Sequence, residues 1–363
     1  MSHEEPKATS KHTLCGYAWS DVVNSLIKAV GNADMARAQR WAAELVCSEL
    51  GLGRLEAALY DAWAIHVNCA LPGWCALWYT SIGQIRNYWS KSGGDIRSVR
   101  NTPVVRQLVA EAVATLVLAA KKPLPALPTS ADVFREAEAT RQRLRAGGGA
   151  GDQRITRTLW NSQSDGADLK TIGNELEAAM RTMQMPRVLF WIVWILTLDT
   201  QTDAPPAKER GPAHLSVKQR KSLYWYAVTL FHELANEIQF ASVADREGIF
   251  QLLELTYPKL GSRGKRDVIA AIAICLVEHV NKRTSLALSA AVPPPTVPAI
   301  RAAAADIDRV YSAIAEEARR YLLEAPSIVG LTAEAKAQLQ KPIIMAPTDK
   351  LSLAYAITDA ARR

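Results

Sequence analysis

The sequence predicts an all-α protein, either an irregular helical bundle or a stack of helical hairpins with no substantial sheet. Apolar residues recur at spacings of three and four through most of the chain, as they do on one face of an α-helix. Alternation at period two, the pattern of a half-buried strand, never persists over six residues. With 363 residues and 49% hydrophobic content, the chain can bury two or three cores or one elongated core.

Five periodic stretches in the first third of the chain predict five helices. Asn32 is the expected N-cap of the second helix, and Gly51 follows its end. Thr102 is the expected cap of the fifth, with Pro103 at its first position and Lys122 near its end. The stretches cover residues 19–30, 35–46, 55–66, 74–89 and 103–117.

A stiff proline connector and a glycine-rich stretch bracket the next predicted helix. Pro123, Pro125 and Pro128 form the connector, after which Thr129 and Asp132 predict the start of a mostly polar helix. Four glycines between residues 147 and 151 then predict a flexible domain boundary. Beyond this boundary, 3-4 spacing over residues 169–183 predicts an amphipathic helix that covers the apolar segment following it.

An unbroken apolar run of nine residues, whose five central residues are all aromatic or β-branched, covers residues 188–196 and predicts a buried core helix. Pro186 suits the first turn of a helix, although the aromatic and β-branched content leaves a strand open. A nine-residue run is about half the length needed to span a bilayer core, and no window of about 18 apolar residues occurs elsewhere. The polar N-terminus lacks a secretory pattern. We therefore expect a protein without membrane insertion.

The second half of the chain predicts further helices separated by proline-rich loops. Ser216 is the expected N-cap of a long helix with its apolar face over residues 223–238. Near-heptad spacing over residues 300–321 predicts a C-terminal packing helix or a dimerisation arm, and a last helix begins near Thr348 and Asp349. The expected domains are an N-terminal helical domain (1–128), a polar helix with a glycine-rich linker (129–151), a central helical domain (152–290), and a proline-rich linker with a C-terminal helical arm (291–363).

No pattern in the sequence predicts a catalytic residue, a metal site or a cofactor. The turn from Gly261 to Arg266 lacks the glycine spacing and the Ser or Thr of a P-loop, but a basic turn before a helix can receive a phosphate. His66, Cys69 and Cys75 are the only close His/Cys group, and their spacing matches no common zinc module. We therefore expect a protein that is not an enzyme. An enzyme with an unfamiliar site is an alternative to this expectation.

Basic residues provide the main functional signal. The formal net charge is +7, which favours phosphate-bearing or acidic partners. The segment from Arg86 to Lys122 contains seven basic residues and only two acidic ones, and Tyr88 and Trp89 lie within it. An exposed aromatic ring there could stack on a base, or Trp89 could belong to a buried stripe. The expected nucleic-acid-binding residues are Arg86, Lys91, Arg97, Arg100, Arg106, Lys121, Lys122, Arg263, Lys265 and Arg266.

Two short segments carry a family resemblance. The stretch from Ala38 to Leu45 resembles a Leu-Tyr-Trp-Ala-x-Glu-Leu segment of an uncharacterised family of helical proteins from nucleocytoplasmic large DNA viruses. The stretch from Phe190 to Leu196 is similar to that family's Phe-Trp-Ile-x-Trp-Ile segment. The first stretch also resembles the C-terminal helical region of clamp-loader-related ATPases, whose ATPase motifs this sequence lacks. The viral resemblance implies a protein of infected cells, packaged in the particle or used around the viral genome.

The resulting hypothesis is a non-enzymatic helical interaction protein that contacts nucleic acid or a nucleoprotein assembly through basic segments. The alternative is a structural component of a virus particle or another large assembly, with protein partners or self-association through the C-terminal helix. Five cysteines, an odd number scattered through apolar patterns, favour a reducing intracellular compartment. That compartment would be the cytoplasm or nucleus of a host cell, or the interior of a virion.

Overall fold

The computed structural model describes residues 12–48, 52–93, 102–145, 149–201, 204–284 and 295–324. These residues form α-helices joined by turns and loops, with a short 3₁₀ helix at Asn68–Ala70 and no β-strand, so the predicted all-α class is confirmed. None of the described helices is both long and apolar enough to cross a bilayer. The helices are α1 (Trp19–Gly31), α2 (Met35–Ser48), α3 (Gly53–His66), α4 (Trp74–Lys91), α5 (Pro103–Leu118), α6 (Ser130–Arg145), α7 (Arg154–Leu159), α8 (Ala167–Arg181), α9 (Met185–Leu198), α10 (Val217–Arg220), α11 (Leu223–Glu237), α12 (Val243–Thr256), α13 (Ser262–Thr284), α14 (Val297–Ala304) and α15 (Ile307–Glu324).

The described chain divides into two compact units, and each unit combines segments that are distant in sequence. Unit 1 contains residues 12–62, 77–119 and 295–324, whereas unit 2 contains residues 63–76 and 120–284. The polar helix α6 therefore belongs to the same unit as the predicted central domain. The C-terminal helices α14 and α15 share a unit with α1 and α2.

Helix α2 is the centre of unit 1, where it packs against α1, α5 and α15. The Glu44 carboxylate of α2 is fully buried and accepts hydrogen bonds from the Cys15 backbone N–H (3.1 Å) and from Arg40 (3.0 Å). The Arg40 guanidinium also binds Glu317 of α15 at 2.7 Å. Because the buried charge has several donors, its desolvation is compensated, and the network links α2 to both ends of the described chain.

Helix α9 is the centre of unit 2 and contains the long apolar run. It packs against α6, α8, α11 and α13. Trp191 is 1% exposed, and its ring centroid lies 5.1 Å from that of Trp194. Pro186 lies in the first turn, as predicted. A helix that is apolar on all sides is stable only when it is surrounded, and these four helices provide that environment.

The same left-handed turn precedes both central helices. Ala33 (φ 54°) connects α1 to α2, and Met183 (φ 56°) connects α8 to α9. In each turn a later backbone N–H returns to the preceding helix, from Asp34 to the Ala29 carbonyl (2.9 Å) and from Gln184 to the Ala179 carbonyl (2.8 Å). This is the hydrogen-bond pattern of a Schellman helix end, in which the left-handed residue is usually glycine.

Two predicted helix caps are wrong because the predicted residue occupies a different position. Asn32 is the C-cap of α1, and Asp34 instead accepts a hydrogen bond from the Arg37 backbone N–H (3.0 Å) at the start of α2. Ser216 caps only the short helix α10. The long helix α11 begins seven residues later, where Ser222 is the cap. A residue type that is preferred at N-cap positions predicts that a helix starts next to it. It does not determine how long that helix is.

The C-terminal helices use their apolar faces inside unit 1. Helix α14 packs against α5, and α15 packs against α2 and α5. Tyr311 and Ile314 of α15 are fully buried. Of the two roles predicted for this segment, these contacts are those of a packing helix. The helix predicted near Thr348 and Asp349 lies outside the described residues.

An ion-pair network joins α7, α8 and α11 in unit 2. The buried Glu177 carboxylate accepts hydrogen bonds from the backbone N–H groups of Ile155 and Thr156 and from Arg181. Arg181 also binds Glu237 at 2.7 Å, and Arg154 binds the same carboxylate. Hydrogen bonds from Arg181, with a further contribution from Arg154, lower the pKa of Glu237 to about 2.

We expect Trp191→Ala to lower the free energy of unfolding by about 3 to 5 kcal/mol, because it leaves a cavity inside unit 2. Urea denaturation followed by circular dichroism measures this change. The control is Val243→Ala, whose side chain is 65% exposed and whose loss should change stability by less than about 0.5 kcal/mol. Equal stability of the two variants would contradict the placement of α9.

The depressed pKa of Glu237 predicts a pH dependence of stability. The folded state binds the ionised carboxylate, so this contribution is complete above the unfolded value of 4.5 and is lost as the pH falls toward about 2. Glu237→Gln should therefore cost about 1 kcal/mol at pH 7 and show a smaller acid-induced loss of stability. Denaturation at several pH values tests this, with exposed Glu233→Gln on the same helix as the control. An unchanged pH profile in Glu237→Gln would contradict the network.

Candidate nucleic-acid interface

The predicted basic residues are divided between the two units. Arg97 and Arg100 lie outside the described residues. Arg86, Lys91 and Arg106 belong to unit 1. The remaining five belong to unit 2 and are Lys121, Lys122, Arg263, Lys265 and Arg266.

Arg106 lies in the core of unit 1 and not on its surface. Its side chain is 1% exposed, and Nη1 lies 3.0 Å from Oδ1 of Asp308. The guanidinium carbon is 4.6 Å from the centroid of the Tyr311 ring, a cation–π contact. Arg106 therefore fixes α15 against α5, and in this conformation it does not reach a phosphate.

Arg86 and Lys91 are exposed on the second half of α4. Arg86 is paired with the buried carboxylate of Glu56 at 3.3 Å. The Tyr88 ring is 39% exposed, whereas Trp89 is half-buried. The second half of α4 therefore carries exposed cations and an exposed aromatic ring, which are the two features expected of a surface that stacks on nucleic-acid bases.

Lys122 anchors the start of the proline connector of unit 2. The Lys122 backbone N–H donates to the His66 carbonyl (2.7 Å), and its Nζ lies 3.3 Å from Glu278 Oε2. Asn68 Nδ2 donates to the Lys122 carbonyl (2.7 Å). Burial lowers the pKa of the Lys121 ammonium to about 8. The ion pair of Lys122 with Glu278 therefore competes with binding of an external phosphate, and partial burial disfavours the charged form of Lys121.

The capped start of α11 lies beside a group of basic side chains in unit 2. Asp199, at the end of α9, accepts hydrogen bonds from the Ser222 hydroxyl (2.5 Å) and from the Leu223 backbone N–H (2.7 Å). The Tyr257 hydroxyl lies 3.5 Å from Ser222 Oγ. The Lys265 ammonium is 3.8 Å from the centroid of the Tyr257 ring. The starts of α11 and α13 therefore meet at Tyr257.

Four cations belong to this region, which we call the basic end of unit 2. Lys221 directly precedes Ser222, and Arg263 is 81% exposed in the first turn of α13. Partial burial lowers the pKa of Lys265, while the nearby Asp199 carboxylate acts in the opposite direction. Glu209 and Asp267 neutralise part of the positive charge. The members are Lys221, Arg263, Lys265 and Arg266.

The basic turn predicted at residues 261–266 is mostly helical. Helix α13 begins at Ser262, so Arg263, Lys265 and Arg266 lie in its first turns. The first N–H groups of a helix lack intrahelical acceptors and carry partial positive charge. These cations therefore surround a helix start that favours an anion.

Sequence reasoning missed Lys221 as a member of this region. The signal was the local run of Lys218, Arg220 and Lys221, which is basic but lies about 40 residues before Arg263. Only the contact of Tyr257 with Ser222 and Lys265 shows that the two segments meet.

In the part of the chain that the structure describes, no three His, Cys, Asp or Glu side chains are arranged to hold a metal ion. Cys69 is half-buried, and Cys75 is buried. Burial raises the pKa of the Cys75 thiol well above its usual value, so this sulfur is held as a neutral thiol.

The chain matches no protein-family model, no curated protein and no solved structure.

We expect Arg106→Ala to lower the free energy of unfolding by about 3 kcal/mol, because it removes a fully buried side chain together with its contact to the Tyr311 ring and leaves a cavity in unit 1. Thermal and urea denaturation measure the loss. Lys91→Ala, an exposed residue on α4, is the control and should change stability by less than about 0.5 kcal/mol. A stable Arg106→Ala variant with weakened DNA binding would instead favour a binding role for Arg106.

Proposed function

We propose that this protein is a non-enzymatic helical interaction protein that contacts nucleic acid or a nucleoprotein assembly through the basic end of unit 2. The observation that carries the proposal is the meeting of two basic segments at Tyr257, which brings Lys221 and Lys265 to the same pair of helix starts. A reducing compartment inside a host cell is part of the proposal, since all five cysteines are free thiols.

The proposed contact is with phosphate groups and not with base edges. Lys221 and Arg263 have exposed charged groups, and each has an acidic neighbour that a phosphate could replace. Lys265 packs on Tyr257 and holds its charge close to the protein surface. Cations placed in this way bind through counterion release, which favours any sequence of DNA or RNA and is strongly weakened by salt.

The test is fluorescence anisotropy with labelled duplex and single-stranded DNA at two or more salt concentrations. We expect binding at low salt and a linear fall of log affinity with log salt concentration. The double variant Lys221→Gln with Arg263→Gln should reduce this slope by about 0.9 for each lost contact with duplex DNA. Lys265 is left intact because its substitution would also disturb the packing on Tyr257.

A matched double variant distinguishes the effect of where the charges lie from the effect of how many charges are removed. Arg135→Gln with Arg157→Gln removes the same two charges from exposed positions elsewhere in unit 2 and should leave binding nearly unchanged. A third variant, Arg86→Gln with Lys91→Gln, tests the exposed cations of α4. Equal losses in all three variants would show a response to net charge alone, and no binding at low salt would refute the proposal.

The alternative is a structural component of a virus particle or another large assembly. It is favoured by the viral resemblance, whose two segments lie in α2 and α9, the central helices of their units. Both segments are largely buried, so their likeness concerns core packing and supplies no contact surface. Stoichiometric recovery of this protein in purified particles would favour the structural role over nucleic-acid binding.

A further inference from the structure

The structure contains an apolar groove in unit 2 that neither the basic end nor the cores explain. Its volume is about 640 Å³, and it lies between the proline connector, α6 and the first half of α9. The apolar lining includes Pro125, Leu127, Met185, Leu189, Phe190 and Trp191. This volume is within the range of about 300 to 1,000 Å³ found for small-molecule sites, which are likewise mostly apolar with a few polar groups.

The walls of the groove are held by the fold. The connector is fixed through the Leu124 backbone N–H, which donates to the Ile65 carbonyl at 2.7 Å. Phe190 makes edge contacts with both Trp191 and Trp194, with centroid distances of 5.3 Å. The groove is therefore a preformed aromatic and aliphatic surface, so a ligand need not order it.

Two polar side chains of α6 face the groove without partners among the described residues. Glu136 and Thr140 are four residues apart and lie on the same side of the helix. Arg187 also lines the groove, but its charge is already matched by the buried carboxylate of Glu175 at 2.6 Å, and Gln184 accepts from its other Nη at 2.9 Å. Among the described residues that line the groove, the unmatched charge is therefore negative.

We propose that this groove binds a small molecule with an apolar or aromatic body and a protonated amine. The body would displace water from the apolar lining, and the ammonium group would bind the Glu136 carboxylate with the Thr140 hydroxyl as a second acceptor. An ammonium ion is also attracted by an aromatic face such as that of Phe190. This site goes beyond the proposed nucleic-acid contact and does not depend on it.

The test compares three probes that share a naphthalene body and differ in the head group, namely 2-(1-naphthyl)ethylamine, 2-(1-naphthyl)ethanol and 1-naphthylacetate. Equilibrium dialysis against the full-length protein gives their affinities. We expect the amine to bind about three to five times more tightly than the alcohol, as for a partly exposed ion pair, and the acetate to bind most weakly.

Three variants assign the binding to the groove. Glu136→Gln should remove the preference for the amine, whereas Glu233→Gln, an exposed carboxylate on α11, should preserve it. Ala126→Trp, at an exposed position of the lining, should fill the groove and weaken all three probes at least tenfold. Melting curves show that each variant is folded. Equal binding of the three probes, binding of none of them, or an amine preference that survives Glu136→Gln would overturn the proposal.

Discussion

The burial of α9 is the constraint on which unit 2 depends. A helix with apolar side chains around its whole circumference cannot face water, and four neighbouring helices cover it. Three of these neighbours have substantial apolar faces, but α6 is mostly polar. Where α6 and the proline connector meet α9, coverage is incomplete and Phe190 stays half-buried. The groove thus results from covering an apolar helix with a polar one.

Unit 1 achieves the same burial of a central helix by different chemistry. Helix α2 places a charged side chain, Glu44, at 0% exposure. Its stability in the core requires hydrogen bonds from backbone and side-chain donors, which Cys15 and Arg40 provide. Such a network is costly when incomplete, so it also selects one arrangement of the segments that contribute to it.

Periodicity predicted the helices well because helical spacing is a local property of the chain. The same patterns did not show that Arg106 is buried, since its partners Asp308 and Tyr311 are about 200 residues away. Within the candidate interface, Arg263 and Lys265 were predicted from their basic turn, whereas Lys221 was not, because its proximity to them depends on tertiary contacts of Tyr257. The groove could not be predicted at all, since its three walls come from segments whose packing no spacing reveals.

The division of unit 1 among distant segments has a consequence for its folding during synthesis. Arg40 emerges early from the ribosome, but its partner Glu317 follows 277 residues later. At translation rates of about 5 to 20 residues per second, this interval is on the order of tens of seconds. All described residues of unit 2 are made within it. Until α14 and α15 are synthesised, α2 and α5 therefore keep part of their apolar surface uncovered. We expect the nascent chain to be prone to aggregation and to chaperone binding in this period.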